Sequence, residues 1–195
     1  MKTKDLGLHL TQDLHLKIFP CYPRGHEKEK TPMVAHWKED ASNLEGATIR
    51  NFGGPVDKLI GLPCELNGMF AVDIDTPDAA ATWAAWGKEF GMAEPVPWQK
   101  TPRGAHYLFK LPDKIKIPNN ASKLAPGMDL RANGYICTGG EGSGYTWQIP
   151  LDQGVPEAPE WLQRKIRAIT TAATTAPKTV ASSITVRGMP SVPVA

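Results

Sequence analysis

The chain has 195 residues, of which 41% are hydrophobic and 22% charged. That is enough for one domain of about 150 residues with a core plus a tail, and it excludes a chain disordered throughout. A net charge of +2 is too small to imply nucleic-acid binding, so local clustering has to carry any such claim.

The N-terminal segment DLGLHLTQDLHL, residues 5–16, can be drawn as an alternating strand or an amphipathic helix. Helix is preferred, because the interleaved polar residues suit it. The charges through MKTKDLGLHLTQDLHLK leave no signal-peptide core, and no apolar run reaches the length of a membrane span. IFPCYP reads as a short strand ended by proline, and RGHEKEKTP as a charged, solvated loop. Residues 39–50 carry a helical pattern with Ser42 or Asn43 as N-cap.

The first strong strand is LNGMFAVDID. Leu66, Phe70, Val72 and Ile74 lie on one face, with Met69, Ala71, Asp73 and Asp75 on the other. A helix comes next, without a loop. Thr76 is its N-cap, Pro77 fits the first helical position, Asp78 suits the positive helix start, and Gly91 ends it. Ala79, Trp83, Trp86 and Phe90 form its apolar face and read as core.

PVPWQK and AHYLFKL flank TPRG, which reads as a hairpin turn. In the second strand Tyr107, Phe109 and Leu111 share one face, and His106, Leu108 and Lys110 the other. LPDKIKIPNNASKLAPG is a lysine- and proline-rich loop. MDLRANGYICT resembles a strand pair, with Met128 and Leu130 opposite Asp129 and Arg131. GGEGSG is a turn, YTWQI a last strand, and APEWLQRKIRAI a closing helix with Pro159 near its start. The expected catalytic domain spans 1–169. Residues 170–195, rich in Thr, Ala, Ser and Pro, read as a linker or disordered tail of a module ordinarily followed by another.

The cysteines Cys21, Cys64 and Cys137 form no CxxC motif. They read as reduced thiols of a soluble cytoplasmic protein, and Cys21 with His26 as loop residues rather than half of a zinc site. The chemistry gathers elsewhere. If the strands carrying Asp73 and Asp75, His106, and Asp129 and Arg131 share one sheet, with helices on its apolar face, the other face is an open cleft holding three carboxylates. Such carboxylates repel one another unless cations sit among them. Oxygen-only donors favour Mg²⁺ or Mn²⁺ over zinc. Two ions about 4 Å apart can activate a hydroxyl and stabilise a leaving pyrophosphate. A lone DxD is equally a pair of solvated acids at a strand end; the ordered set on successive strands is what carries weight.

That ordered set, FAVDID, TPRGAHYLF and MDLRANGYI followed by APEWL, resembles the bifunctional DNA primase/polymerase N-terminal (prim-pol) family of the archaeo-eukaryotic primase superfamily, over roughly residues 5–168. The resemblance implies an α+β, two-lobed fold with a catalytic sheet like that of an RNA-recognition motif, helices on one face and an open cleft on the other. It implies two metal ions on Asp73, Asp75 and Asp129, and nucleotide-phosphate contacts from His106, with Arg103, Arg131 and Lys100 as further nucleotide contacts. A helicase module in cis or trans is the implied partner in phage- or plasmid-type replication. The residues around the motifs depart from the family in two places. Arg103-Gly104-Ala105 replaces a double glycine before the histidine, and Cys137-Thr138-Gly139-Gly140 replaces a Pro-Pro-Ser-like segment.

Single-stranded template would be held through its phosphates, with Lys30, Lys114, Lys116 and Lys123 as candidates and Lys100, Arg103 and Lys110 nearby. The expected function is template-dependent nucleotidyl transfer from NTP or dNTP. A non-catalytic, DNA-binding replication initiator is the alternative, and a DxD glycosyltransferase a third reading.

Overall fold

The structure is a computed structural model that describes residues 1–92, 95–113, 117 and 123–175, with the backbone alone at 123 and 172–175. Lys114, Lys116 and the tail from 176 onward lie outside the described residues. The fold is α+β, with two antiparallel sheets and helices against each.

The chain opens with helix α1 (Thr3–Leu8), which runs into a π-helical turn at His9–Asp13. Leu6 and Leu10 are buried along it, as the helical reading requires. Strand β1 is Phe19–Cys21. The single helix expected at 39–50 is instead two, α2 (Trp37–Asp40) and α3 (Glu45–Phe52), and the N-cap of α3 is Leu44. Ser42 cannot cap it. Its backbone bridges Ile18, and its hydroxyl accepts from the Leu44 N–H at 3.1 Å.

Strand β2 (Leu59–Pro63) has no counterpart among the elements expected from the sequence. LIGLP is buried at every position, so it shows no alternation for a periodicity argument to find. It is the middle strand of a three-stranded sheet, and a Cβ on Gly61 would run into the Phe19 ring.

The strand expected to begin near Leu66 begins at Met69. Leu66 instead sits 41% exposed in a 3₁₀ turn (Glu65–Asn67). Strand β3 is Met69–Ile74, so Asp75 lies just past its end. Helix α4 (Pro77–Phe90) starts as its sequence demands: the Thr76 hydroxyl accepts from the Ala79 N–H at 3.2 Å, and Pro77 stands in the first turn. Strands β4 (Trp98–Lys100) and β5 (Ala105–Lys110) form the hairpin expected around TPRG. Strand β6 (Lys123–Ala125) lies within a stretch that reads as loop.

Strands β7 (Met128–Arg131) and β8 (Tyr135–Thr138) do not pair with each other. β7 joins β3 in one sheet, and β8 joins β2 in the other. β9 (Thr146–Ile149) is an edge strand on β4. Helix α5 (Glu160–Thr175) passes the boundary expected at 169.

The larger sheet has the order β6-β7-β3-β5-β4-β9, and the smaller β1-β2-β8. α4 and α5 cover one face of the larger sheet. Trp83, Trp161, Leu162 and Ile166 pack there with Phe70, Val72, Ile74, Phe109 and Met128. The opposite face is not open along its length. Met69, Ala71 and Leu108 are buried there against Ile60, Leu62 and Ile136 of the smaller sheet and against Leu6 and Leu10. Only the end of β3 that carries Asp73 emerges from this inter-lobe core into a cleft. At roughly 25 cal/mol per Å², burial of several such side chains anchors β3 from both of its faces.

One ion-pair cluster closes the smaller lobe. His9 Nδ1 lies 2.7 Å from Asp13 Oδ2, and its Nε2 lies 2.9 Å from Asp152 Oδ1. The hydrogen bond to Asp13 outweighs partial burial and, with Asp152, raises the His9 pKa above 6.5. A raised pKa contributes stability that is complete below the unfolded value and is lost as pH rises through the folded one. The Tm advantage of wild type over His9→Gln is therefore expected to be modest at acidic pH and to vanish at alkaline pH, which thermal unfolding across pH would read.

Candidate active site

The alternation of β3 places Asp73 on the face of Met69 and Ala71, turned toward the smaller lobe. Strand register then decides its neighbours. Asp73 stands opposite His106 of β5 on one side and opposite Asp129 of β7 on the other. Beyond His106 the row continues to Gln99 of β4. Two strand-adjacent acids, a histidine and a glutamine thus cross four strands at one level.

The side chains along this row are bonded to each other. His106 Nε2 lies 3.2 Å from Asp73 Oδ1. Arg131, two residues after Asp129 and on the same face, places Nε and Nη2 each 3.1 Å from Asp73 Oδ2, and Nη2 3.5 Å from Asp129 Oδ2. Asp75 pairs with Arg103 of the hairpin turn at 3.1 Å. Thr101 braces that turn: its hydroxyl accepts from the Arg103 and Gly104 N–H groups at 3.3 and 3.0 Å. Burial alone would raise the Asp73 pKa, but the hydrogen bond and charge of His106, together with Arg131, hold it below 3.8. Asp73 is therefore a carboxylate at neutral pH.

These groups form one wall of a cleft of about 350 Å³. The facing wall comes from the smaller lobe and its loops and includes Lys30, Trp37 and Tyr135. Lys30 has a left-handed backbone (φ 67°), and its carbonyl accepts from the Tyr135 hydroxyl at 3.1 Å. Phe19, Trp37 and Tyr135 pack edge-to-face or tilted, with centroids 5.0–5.4 Å apart, which stiffens that wall.

The family model for the bifunctional DNA primase/polymerase N-terminal domain (Prim-Pol) matches residues 7–161. The chain belongs to the Prim-Pol family. Prim-Pol domains are nucleotidyltransferases of the primase and polymerase class, and their partners are DNA and nucleotides. No curated protein gives a match. No helix among the described residues is long and apolar enough to cross a membrane.

Set in this Prim-Pol cleft, the candidates from the sequence divide into those it gathers and those it does not. Asp73, Asp75, Arg103, His106 and Arg131 line the cleft, and Asp129 adjoins it through Arg131. Lys30, expected on a template path, lines it as well. Lys100 does not. It alternates to the other face of β4 and borders an apolar groove with Ile74, Trp83 and Trp98. Lys110 sits at the far end of β5 beside Glu157 at 3.7 Å. Lys123 lies opposite Asp129 in register.

Gln99, Trp37 and Tyr145 are not among the candidates from the sequence, although all three reach the site. For Gln99 a signal exists. Counting outward from the TPRG turn pairs Lys100 with Ala105 and Gln99 with His106.

The oxygen donors fit a hard divalent ion: the carboxylates of Asp73 and Asp75 in the cleft and of Asp129 beside it. Asp73 and Asp129 already converge on a cation, the Arg131 guanidinium. As they stand, no three His, Cys, Asp or Glu side chains among the described residues are grouped to hold a metal.

The thiols stand apart from this chemistry. Cys21, Cys64 and Cys137 are all free and buried, with Cys137 in the cleft wall. Desolvation pushes the Cys64 thiol up to about 12, and the hydrogen bond to Cys137 together with burial raises Cys21 further. The thiolate is the reactive form. Native protein is expected to react with a disulfide reagent at least tenfold more slowly than urea-unfolded protein, in a thiol titration that ends at three equivalents.

Proposed function

We propose that this chain is the catalytic domain of a phage- or plasmid-type primase/polymerase that joins nucleotides along a single-stranded DNA template. The observation that carries the reading is the single row His106–Asp73–Asp129 across three paired strands, at the mouth of a cleft that also holds Arg103 and Arg131. The hydroxyl of a primer 3′ end, or of the first nucleotide in priming, attacks the α-phosphorus of the incoming nucleotide. The new P–O bond forms as the bond from the α-phosphorus to the α,β-bridging oxygen breaks; pyrophosphate leaves, and the hydroxyl proton passes to solvent.

Asp73, Asp75 and Asp129 would hold two divalent ions, Mg²⁺ or Mn²⁺, which when bound acidify the attacking hydroxyl and offset charge on the leaving group. His106 presents an N–H donor to the phosphates, and Arg103 a guanidinium from the hairpin turn. Arg131 holds Asp73 and Asp129 in place before substrate enters. Lys30 extends the positive wall, and Lys114, Lys116 and Lys123 are proposed to track template phosphates. Oriented binding between two lobes supplies much of the remaining rate. A helicase module in cis or trans is the proposed partner, residues 170–195 the proposed linker toward it, and the cytoplasm the proposed compartment.

The test mixes the protein with single-stranded templates, Mg²⁺ or Mn²⁺, and labelled ribo- or deoxynucleotides. Labelled product and pyrophosphate are expected from wild type. DNA binding with no product on any template would replace this reading with that of a non-catalytic replication initiator.

A further inference from the structure

We propose that Gln99 is a positioning residue that fixes the ring proton of His106 on the nitrogen facing the cleft. Gln99 is wholly buried in β4, directly opposite His106 in register. Its Nε2 lies 2.8 Å from the carbonyl oxygen of Cys137 and 2.9 Å from Nδ1 of His106. A carbonyl oxygen can only accept, so the atom facing it is the NH₂ group. The second hydrogen of that group is then directed at His106 Nδ1, which accepts it with its lone pair. A neutral imidazole whose Nδ1 accepts carries its proton on Nε2. Nε2 is the atom 3.2 Å from Asp73 Oδ1.

The direction of this relay is set from the smaller lobe. The Cys137 carbonyl belongs to β8, which among the described residues pairs with β2 alone. Turning the amide over would set Oε1 against the Cys137 carbonyl, acceptor against acceptor. The observed orientation persists although Oε1 is buried with no partner among the described residues. Leaving an acceptor unmade costs about 1–3 kcal/mol, and the two acceptors met by the NH₂ group, the Cys137 carbonyl and His106 Nδ1, offset it. The orientation selects the same His106 tautomer as the Asp73 carboxylate 3.2 Å from Nε2, and so holds it from both sides of the ring.

If the cleft transfers nucleotides as proposed, that tautomer matters because phosphate oxygens need a donor. With the proton on Nδ1 instead, Nε2 would present a lone pair to an anion. The tautomer itself does not depend on that function, and the two can fail separately.

The experiment uses ¹⁵N-labelled full chain without metal or nucleotide, with spectra recorded across pH and read for the neutral ring. Two-bond nitrogen–proton correlations identify which ring nitrogen carries hydrogen. A scalar coupling through the N–H···N hydrogen bond identifies the donor to Nδ1. Expected for wild type are a protonated Nε2 and a coupling from Gln99 Nε2 to Nδ1. A protonated Nδ1, or no coupling to Gln99, overturns the proposal. Gln99→Met, which keeps volume and removes the amide, should lower the share of Nε2-protonated ring, with Asp73 alone left to hold that tautomer. In nucleotide transfer it should raise the nucleotide KM about tenfold with kcat little changed, the pattern of a lost ground-state contact. Loss of folded protein alone would lower apparent kcat and leave KM alone. An unchanged tautomer and an unchanged KM in the variant overturn the assignment to Gln99. Should the variant not fold, the wild-type spectrum decides by itself.

Discussion

Asp73→Asn is expected to lower nucleotidyl transfer about a thousandfold or more while the protein still folds. Metal-assisted charge stabilisation is worth several kcal/mol, and each 1.36 kcal/mol is a factor of ten in rate. An asparagine keeps the shape and one acceptor but removes the charge. The loss falls on the residue where three neighbours of the row meet: His106 Nε2 at 3.2 Å, Arg131 at 3.1 Å through two nitrogens, and Asp129 on the adjacent strand. Stability should fall too, by about 1–3 kcal/mol, because Arg131 and His106 lose a charged partner.

The pH dependence separates the two effects. The folded pKa of Asp73 lies below 3.8. A depressed carboxylate pKa contributes stability above the unfolded value and loses it as pH falls through the folded one. The gap in Tm between wild type and Asp73→Asn should therefore be full at neutral pH and narrow below about pH 4. Transfer activity of the variant should stay low at every pH. Product formation by a filter or gel assay, beside thermal unfolding across pH, reads both. Near-wild-type transfer by the variant would remove Asp73 from the chemistry.

Much of this site is legible in the sequence because it sits where local rules are strong. β3 alternates, Thr76 and Pro77 start helix α4, and TPRG closes a hairpin. Parity alone therefore turns Asp73 away from Phe70 and Val72, and His106 away from Tyr107 and Phe109. The hidden features depend on long-range contacts. LIGLP shows no period because it is buried at every position. β8 comes after β7 by a short turn yet crosses to the other sheet, a choice made by pairing with β2 and not by any residue of its own. Sequence alone predicts a cleft along the whole inner face of the sheet. It is confined to one end because the smaller lobe fills the rest with Ile60, Leu62 and Ile136. Lys100 is a nucleotide contact in what the family resemblance implies, but strand alternation sends it to the outer groove.

Gly104→Ala is expected to damage fold and site together. A Cβ built on Gly104 would run into the carbonyl oxygen of Ile74 and lie 2.9 Å from its carbon. These are backbone atoms of β3, so no rotamer change relieves the clash. Either the end of β3 or the hairpin turn has to shift. Neither is free to do so. Ile74 is paired in register with Ala105 and Met128, and the turn is tied by Thr101 N–H to the Gly104 carbonyl at 2.9 Å and by Gly104 N–H to the Thr101 hydroxyl at 3.0 Å. Overpacking of this kind costs about 1–3 kcal/mol. For a chain of this size that lowers Tm by roughly 2–12 °C. The shift also separates the elements that carry Asp73 and Asp75 from those that carry Arg103 and His106. A misplacement of about 1 Å can cost on the order of a hundredfold in rate. Transfer should thus fall about a hundredfold beyond any loss of folded protein. Gly54→Ala is the control, since a Cβ there meets nothing within 4 Å, and it should leave both Tm and rate unchanged. A Gly104→Ala protein that melts and reacts like wild type would show that the turn can back away from β3 without disturbing His106 and Asp73.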